Sequence, residues 1–391
     1  MYGNKTFRRA LRFASAFCLL ALLGIRAAAG SAGPAVVAKA DFRQWPERVG
    51  TVPGFDRASR AAILEYSLAL QQMGKLSDDD MLSAFKIKSV NRASVDKWLD
   101  KERVLSLLNY QRAAKQCGTS DWTCVGEVHS YDELLQKAGK VHGTMPQGYT
   151  AWRDNFEGFA RAYVGEQLRL AALFPNVTSE IGLFNDSELN GDKLADRQFF
   201  LTFDDGPTAT GGLTEKTLAM LRKEKLDGVF FVLGTRFQER TDKSSKQAMN
   251  ALYSGQCVGT HGWEHKSHAK WDLWQESIER TQNLLKTTLA PDMVAPLFRP
   301  PYGQRKADSG AFFQSHSSRV ALWDIDSQDW NHHVSADDVI NRIITLMLIK
   351  RHGVLLFHDV HPKAWVAVPV ITKTFGNSVN WGDCHRLAAT P

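Results

Sequence analysis

Residues 198–207 read Gln-Phe-Phe-Leu-Thr-Phe-Asp-Asp-Gly-Pro. The stretch up to Phe203 is aromatic-rich and largely apolar, which predicts a short, buried strand. Gly206-Pro207 ends it, so Asp204 and Asp205 fall where strand becomes loop. Two adjacent carboxylates on one tight turn point in different directions. One can hold a cation while its neighbour stays free as a base.

Outward from this strand, further apolar runs predict strands over 228–233, 257–260, 320–325 and 353–357. Helical spacing predicts helices over 213–226, 245–253, 271–289 and 336–350. Alternating strands and helices make an α/β domain with a parallel sheet. In such domains the chemistry collects at the ends of the strands.

Polar clusters stand at those ends. His261-Gly-Trp-Glu-His265 offers two imidazoles at i and i+4, which can face one metal if the segment coils. Asp205, His261 and His265 together would supply three ligands and leave a position for water. A carboxylate and imidazole set suits zinc, with cobalt, nickel and manganese as alternatives. Arg299-Pro-Pro-Tyr302-Gly303, Asp326-Ser-Gln-Asp329-Trp330 and Leu355-Leu-Phe-His358-Asp359 follow. A histidine at the end of the last strand is placed for acid or base work. Taken singly, an Asp-Asp pair is usually a solvated turn, and His-x-x-x-His is more often surface or core than a metal site. The weight lies in five such clusters, in order, each beside a strand end.

That ordered set resembles the polysaccharide deacetylases, carbohydrate esterase family 4, over roughly residues 197–375. The resemblance implies a distorted (β/α) barrel of about seven strands. It also implies a metal-dependent hydrolase acting on acetylated sugars. By that resemblance Asp205, His261 and His265 hold the metal and Asp204 is the general base. Arg299 orients Asp204, and the backbone N–H of Tyr302 helps stabilise the oxyanion. His358 protonates the leaving amine, Asp329 tunes it, and Trp330 and Leu356 line the pocket for the acetyl methyl. The chemistry is consistent: an amide needs its carbonyl made electrophilic and its amine protonated, and an arginine beside an aspartate favours the ionised base. The substrate expected is an N-acetylglucosamine-containing polysaccharide such as peptidoglycan, a chitin-like chain or poly-N-acetylglucosamine. The alternatives are an acetyl xylan esterase, a sugar deformylase, or a catalytically silent glycan-binding envelope protein. In the family a further strand usually closes the domain, and the tail from Phe375 to Cys384 puts that element in question.

The rest of the chain frames this domain. Residues 33–54 and 176–196 read as linkers, rich in Gly, Pro and Asn. Between them, 55–175 is helical in pattern: Trp152, Phe156, Phe159, Tyr163, Leu170 and Leu173 share one face. This predicts an all-helical accessory domain ahead of a catalytic domain at 197–391. Residues 1–32 have a basic start, an apolar run and small residues near Ala29 and Ala32, the layout of a signal peptide. The run Phe13–Ile25 is shorter than the roughly 20 residues of a membrane span, so the membrane enters only through an uncleaved leader. The expected location is secreted or periplasmic. Five of the 48 basic residues lie in 1–29 with no acid, leaving 43 against 42 acids elsewhere. The basic balance belongs to the leader and gives no case for nucleic acid. Neither a phosphate loop nor Gly-x-Gly-x-x-Gly occurs, which excludes a nucleotide site of that kind. Beyond the leader, Cys117, Cys124, Cys257 and Cys384 allow three pairings. Cys117 and Cys124 are expected to pair locally, leaving Cys257 for Cys384. No Cys-x-x-Cys occurs, which disfavours a cysteine zinc site.

Overall fold

The structure is a computed structural model that describes residues 36–176 and 181–390. The leader expected at 1–32 lies outside the described residues. Five helices come first: α1 (Val52–Met73), α2 (Asp78–Phe85), α3 (Arg92–Ala113), α4 (Tyr131–Thr144) and α5 (Thr150–Leu173). Their starts are chemically marked. Thr51 caps α1, and Ser77 with Asp80 forms a reciprocal capping box on α2. The aromatic stripe on α5 is core: Trp152, Phe156, Phe159 and Tyr163 are all buried.

An alternating run follows: β1 (Glu188–Leu189), β2 (Gln198–Asp204), α6 (Leu213–Glu224), β3 (Val229–Val232), α7 (Gly234–Asp242), α8 (Lys246–Tyr253) and β4 (Cys257–Thr260). It continues through α9 (Trp274–Thr288), β5 (Val294–Phe298), α10 (Gly310–Ser315), β6 (Arg319–Ala321), β7 (Ile325–Asp326), α11 (Ala336–Lys350), β8 (Gly353–His358), α12 (Pro362–Phe375) and β9 (Asn380–Trp381). The strand order is β1-β6-β5-β4-β3-β2-β8-β7, with β9 pairing to the start of β2. Every pairing is parallel. The sheet is curled and open, a half-barrel with helices on its convex side. Several elements correct the sequence reading: β1, β5, α7, α10 and α12 were unforeseen, β1 lying in the expected linker 176–196, and the run over 320–325 splits into β6 and β7 around Leu322–Asp324. The tail does add a short strand, β9, and both disulfides form, Cys117–Cys124 and Cys257–Cys384. No described helix is long and apolar enough to cross a membrane.

Side-chain alternation builds two cores. Phe199, Leu201 and Phe203 of β2 join Phe230, Val232, Leu355 and Phe357 in the core shared with the helices. Phe200, Val229, Phe231, Cys257, Leu297, Ala321, Trp323, Val354 and Leu356 fill the concave side. The first core also includes Phe55, Tyr66 and Tyr163, so α1 and α5 and the sheet's own helices bury their faces together.

Buried polar contacts fix that packing. Arg342 on α11, 1% exposed, forks onto Glu166 of α5 with bonds of 2.7 and 3.1 Å. Glu166 also accepts the Ala38 N–H at 2.5 Å. Removing one partner of a buried pair strands the other charge. Glu166→Ala is therefore expected to destabilise the fold by about 3–5 kcal/mol, read from the shift in urea midpoint. A loss under about 1 kcal/mol would show that the helices and sheet are held without it.

Candidate active site

Pleat and register set the site. On β2, Thr202 and Asp204 share parity with inward-facing Phe200, and Asp204 pairs in register with His358 of β8. On β5, inward Leu297 carries the chain to Arg299, and on β4 inward Cys257 leads by the same parity to His261. Four strands thus deliver Asp204, His261, Arg299 and His358 to one end of the concave face.

Arg299 is wholly buried. Its guanidinium donates to Thr202 Oγ1 (2.6 Å), Asp204 Oδ1 (3.2 Å), Ala321 O (3.0 Å) and Leu322 O (3.1 Å). Its face also lies 4.3 Å from the Phe231 ring centroid. It is held by four anchors, so the carboxylate it meets is held in turn.

Asp205 leaves the strand with φ of 80°, a left-handed turn that swings its side chain away from that of Asp204. The next residue must be glycine: a Cβ on Gly206 would stand 2.2 Å from Asp359 Oδ2. Asp359 is buried, accepts from Thr214 Oγ1 at 2.7 Å, and is pushed up to about 7 mainly by burial.

His261 Nδ1 lies 2.7 Å from the Arg299 carbonyl. A carbonyl only accepts, so Nδ1 carries the proton and the lone pair sits on Nε2. That Nε2 is 3.3 Å from Asp205 Oδ1, and His265 Nε2 is 3.4 Å from the same oxygen. The oxygen is buried and, among the described residues, has no hydrogen-bond partner. Burial, then His261, lower the His265 pKa to about 4, so its ring is neutral and can donate a lone pair. Burial opposes the Asp205 charge, yet the surrounding histidines hold that carboxyl well below its usual range. In a tetrahedral zinc site with bonds of about 2.0–2.1 Å, donor atoms stand about 3.3–3.4 Å apart. Both nitrogen–oxygen edges have that spacing, and the three donor atoms lie within 4.8 Å of one another, which fits a divalent cation.

Opposite this group, His358 Nδ1 bonds Asp329 Oδ1 at 2.7 Å, and the His358 N–H bonds Oδ2 at 2.9 Å. Burial opposes a charged ring, but Asp329, then Asp205 and Asp204, outweigh it and push the pKa up to about 10. In protein stripped of divalent ions, His358 is therefore expected to stay protonated across the neutral range. The stability it contributes is present below the ordinary histidine value and is lost as pH rises through about 10. Asp329→Asn should lower that titration, seen by NMR of the imidazole. An unmoved titration would remove Asp329 from this role.

The remaining expected residues rim the site. Leu356 is buried in the concave core, one step below His358. Trp330 is half-buried, on a loop clamped where Lys363 donates to the Asp329 and Asn331 carbonyls at 3.0 and 2.6 Å. Tyr302 is exposed, has a left-handed φ of 59°, and sets its ring edge-on to His265 at 4.4 Å. Sequence reasoning missed the role of His268. It is buried, and its Nε2 shares Ser277 Oγ (3.0 Å) with the Trp263 N–H (2.7 Å), bracing the loop between the two histidines that face Asp205. His332 and His333 are exposed, and the His361 ring lies 5.8 Å from that of His358.

Known proteins resemble this chain over part of its length. The polysaccharide deacetylase family matches residues 191–320, which end before Asp329 and His358. A peptidoglycan-N-acetylglucosamine deacetylase of Bacillus cereus is 28% identical over 220 residues, covering 53% of this chain and 74% of that protein. A bifunctional xylanase/xylan deacetylase of Cellvibrio japonicus is 32% identical over 162 residues, 41% of this chain and 22% of that protein. A solved family 4 carbohydrate esterase from Streptomyces lividans is 28% identical, with a TM-score of 0.40, covering 48% of this chain and 93% of that one. Residues 191–320 are therefore similar in sequence to the polysaccharide deacetylases, a family of hydrolases.

Proposed function

We propose that the chain is a metal-dependent deacetylase that removes N-acetyl groups from an N-acetylglucosamine-containing polysaccharide outside the cytoplasm. One observation carries this reading: a base held by an arginine and an acid held by an aspartate flank three converging cation donors. Asp205, His261 and His265 would hold the cation, zinc by ligand type with cobalt, nickel or manganese as alternatives. When bound it supplies Lewis acidity to the acetyl carbonyl and acidifies the attacking water.

The chain's own groups do the rest. Asp204 accepts the proton of the attacking water, held in place by Arg299. The Tyr302 N–H donates to the oxyanion. His358, kept protonated and oriented by Asp329, gives its proton to the leaving nitrogen. Trp330 and Leu356 accept the acetyl methyl. Residues 55–175 act as an accessory domain buttressing the catalytic domain at 197–391, a role supported by their shared core.

The test is acetate release by the purified full-length protein from chitin oligosaccharides, peptidoglycan, poly-N-acetylglucosamine and acetylated xylan. Release from an N-acetylated substrate is expected, lost on chelation and restored by zinc. Release from xylan alone would make it an esterase. No release from any of them with zinc, cobalt or nickel present would overturn the reading.

A further inference from the structure

The Cys257–Cys384 bond joins the first residue of β4 to the tail turn Cys384–Ala389, across 127 residues. It lies at the opposite end of β4 from His261. Its surroundings are unusual for a structural staple. His385 Nδ1 stands 3.4 Å from Cys257 Sγ and 3.5 Å from Cys384 Sγ. Asp383 Oδ1 is 3.0 Å from the same nitrogen, and Asp227 Oδ1 accepts the Cys384 N–H at 2.6 Å. Among the described residues no lysine or arginine forms an ion pair with Asp227 or Asp383, whose single ionic partner is His385. Burial, and after it Asp383, push the Asp227 carboxyl up. Two carboxylates and an imidazole therefore crowd a pair of sulfurs with no fixed cation beside them.

The spacing matches a ligand set. With Zn–S of about 2.3 Å and Zn–N of about 2.0–2.1 Å, a tetrahedral site separates sulfur from nitrogen by about 3.5 Å. Both sulfur–nitrogen edges already have that length. Only the sulfurs must part, from a covalent bond to a non-bonded contact. The sulfurs are buried, while the side chains of His385 and Asp383 are 48% and 56% exposed, so ion and reductant enter from that side.

We propose that reduction of Cys257–Cys384 creates a second, zinc-type metal site of two thiolates and His385, completed by the Asp383 or Asp227 carboxylate. A thiolate of a dithiol reductant attacks one sulfur, the S–S bond breaks, and the reductant's second thiol displaces the mixed disulfide. Two electrons pass to the protein, and the reductant leaves as its own disulfide. Both cysteine thiols release their protons to solvent as they bind the cation, and the proton that His385 Nδ1 shares with Asp383 moves to Nε2, freeing the Nδ1 lone pair. The tail then stays tied to β4, the strand leading to His261, in the oxidised and the reduced state alike. The absence of a Cys-x-x-Cys motif is no obstacle, because the fold itself brings Cys257 and Cys384 together.

The full-length protein is reduced without air, its thiols are counted, zinc is added, and bound metal is measured after desalting. Reduced protein is expected to retain one zinc per chain more than oxidised protein. Cobalt in place of zinc should give a thiolate-to-cobalt charge-transfer band. Cys384→Ser should lose both signals, although it keeps Cys117 and Cys124. His385→Ala should weaken affinity by about 100-fold or more, at least the upper range for loss of a supporting group. Equal zinc in the two redox states, a Cys384→Ser variant that keeps the band, or a bond that resists excess reductant would each overturn the proposal. None of these readouts depends on deacetylation.

Discussion

Asp204→Asn is expected to lower kcat for deacetylation by about 10²–10⁴-fold while cation affinity stays near that of the unaltered protein. Asparagine has the same shape, and its carbonyl can still accept from Arg299 Nη1, now 3.2 Å from Asp204 Oδ1. What it cannot do is take a proton. The three converging donors belong to Asp205, His261 and His265, so the substitution leaves them in place. Metal content and acetate release should be measured on the same sample. Undiminished release would place the base elsewhere. Loss of the cation together with activity would make Asp204 a ligand.

Arg299→Leu is expected to cost about 3–5 kcal/mol of stability, a large share of the 5–15 kcal/mol typical of a folded protein. The arginine is fully buried, and Asp204 is only 3% exposed. Leucine restores apolar volume but leaves that carboxylate without its partner. It also takes a donor from the carbonyls of Ala321 and Leu322, so the loops after β2, β5 and β6 loosen together. Arg299→Lys is expected to recover little, since one ammonium cannot span four acceptors in a fixed fork. Urea unfolding of both variants decides the matter. A leucine variant within about 1 kcal/mol of the parent would show that Asp204 is held by other means.

The parts of this site that were legible in the sequence are those governed by local rules. A strand that ends in Asp-Asp-Gly-Pro places its carboxylates at a loop. Two histidines four apart suggest a shared partner. What stayed hidden needed the third dimension. β5 contains Pro296, which argues against a strand until Leu297 and Phe298 are seen buried. β1 is two residues long and has no periodicity to detect. The left-handed turn at Asp205 is carried by a non-glycine residue, where composition gives no warning. His268 could be recognised as a brace only once Ser277 and the Trp263 N–H were seen beside it. The union of α5 with α11 rests on Glu166 and Arg342, 176 positions apart, a separation no local pattern spans.

The pairing of β2 has a consequence for the order in which the protein becomes competent during its synthesis. Thr202 Oγ1 donates to Leu355 O across 153 residues, and β9 joins β2 later still. A nascent chain that has emerged only as far as α11 holds Asp204 without its neighbouring strand and without His358. In the proposed mechanism the acid therefore joins the base only after α11 and β8 have been made, at a step slowed by the long loop that must be drawn shut. On that proposal, a product ending before His358 would hold the base and lack the acid.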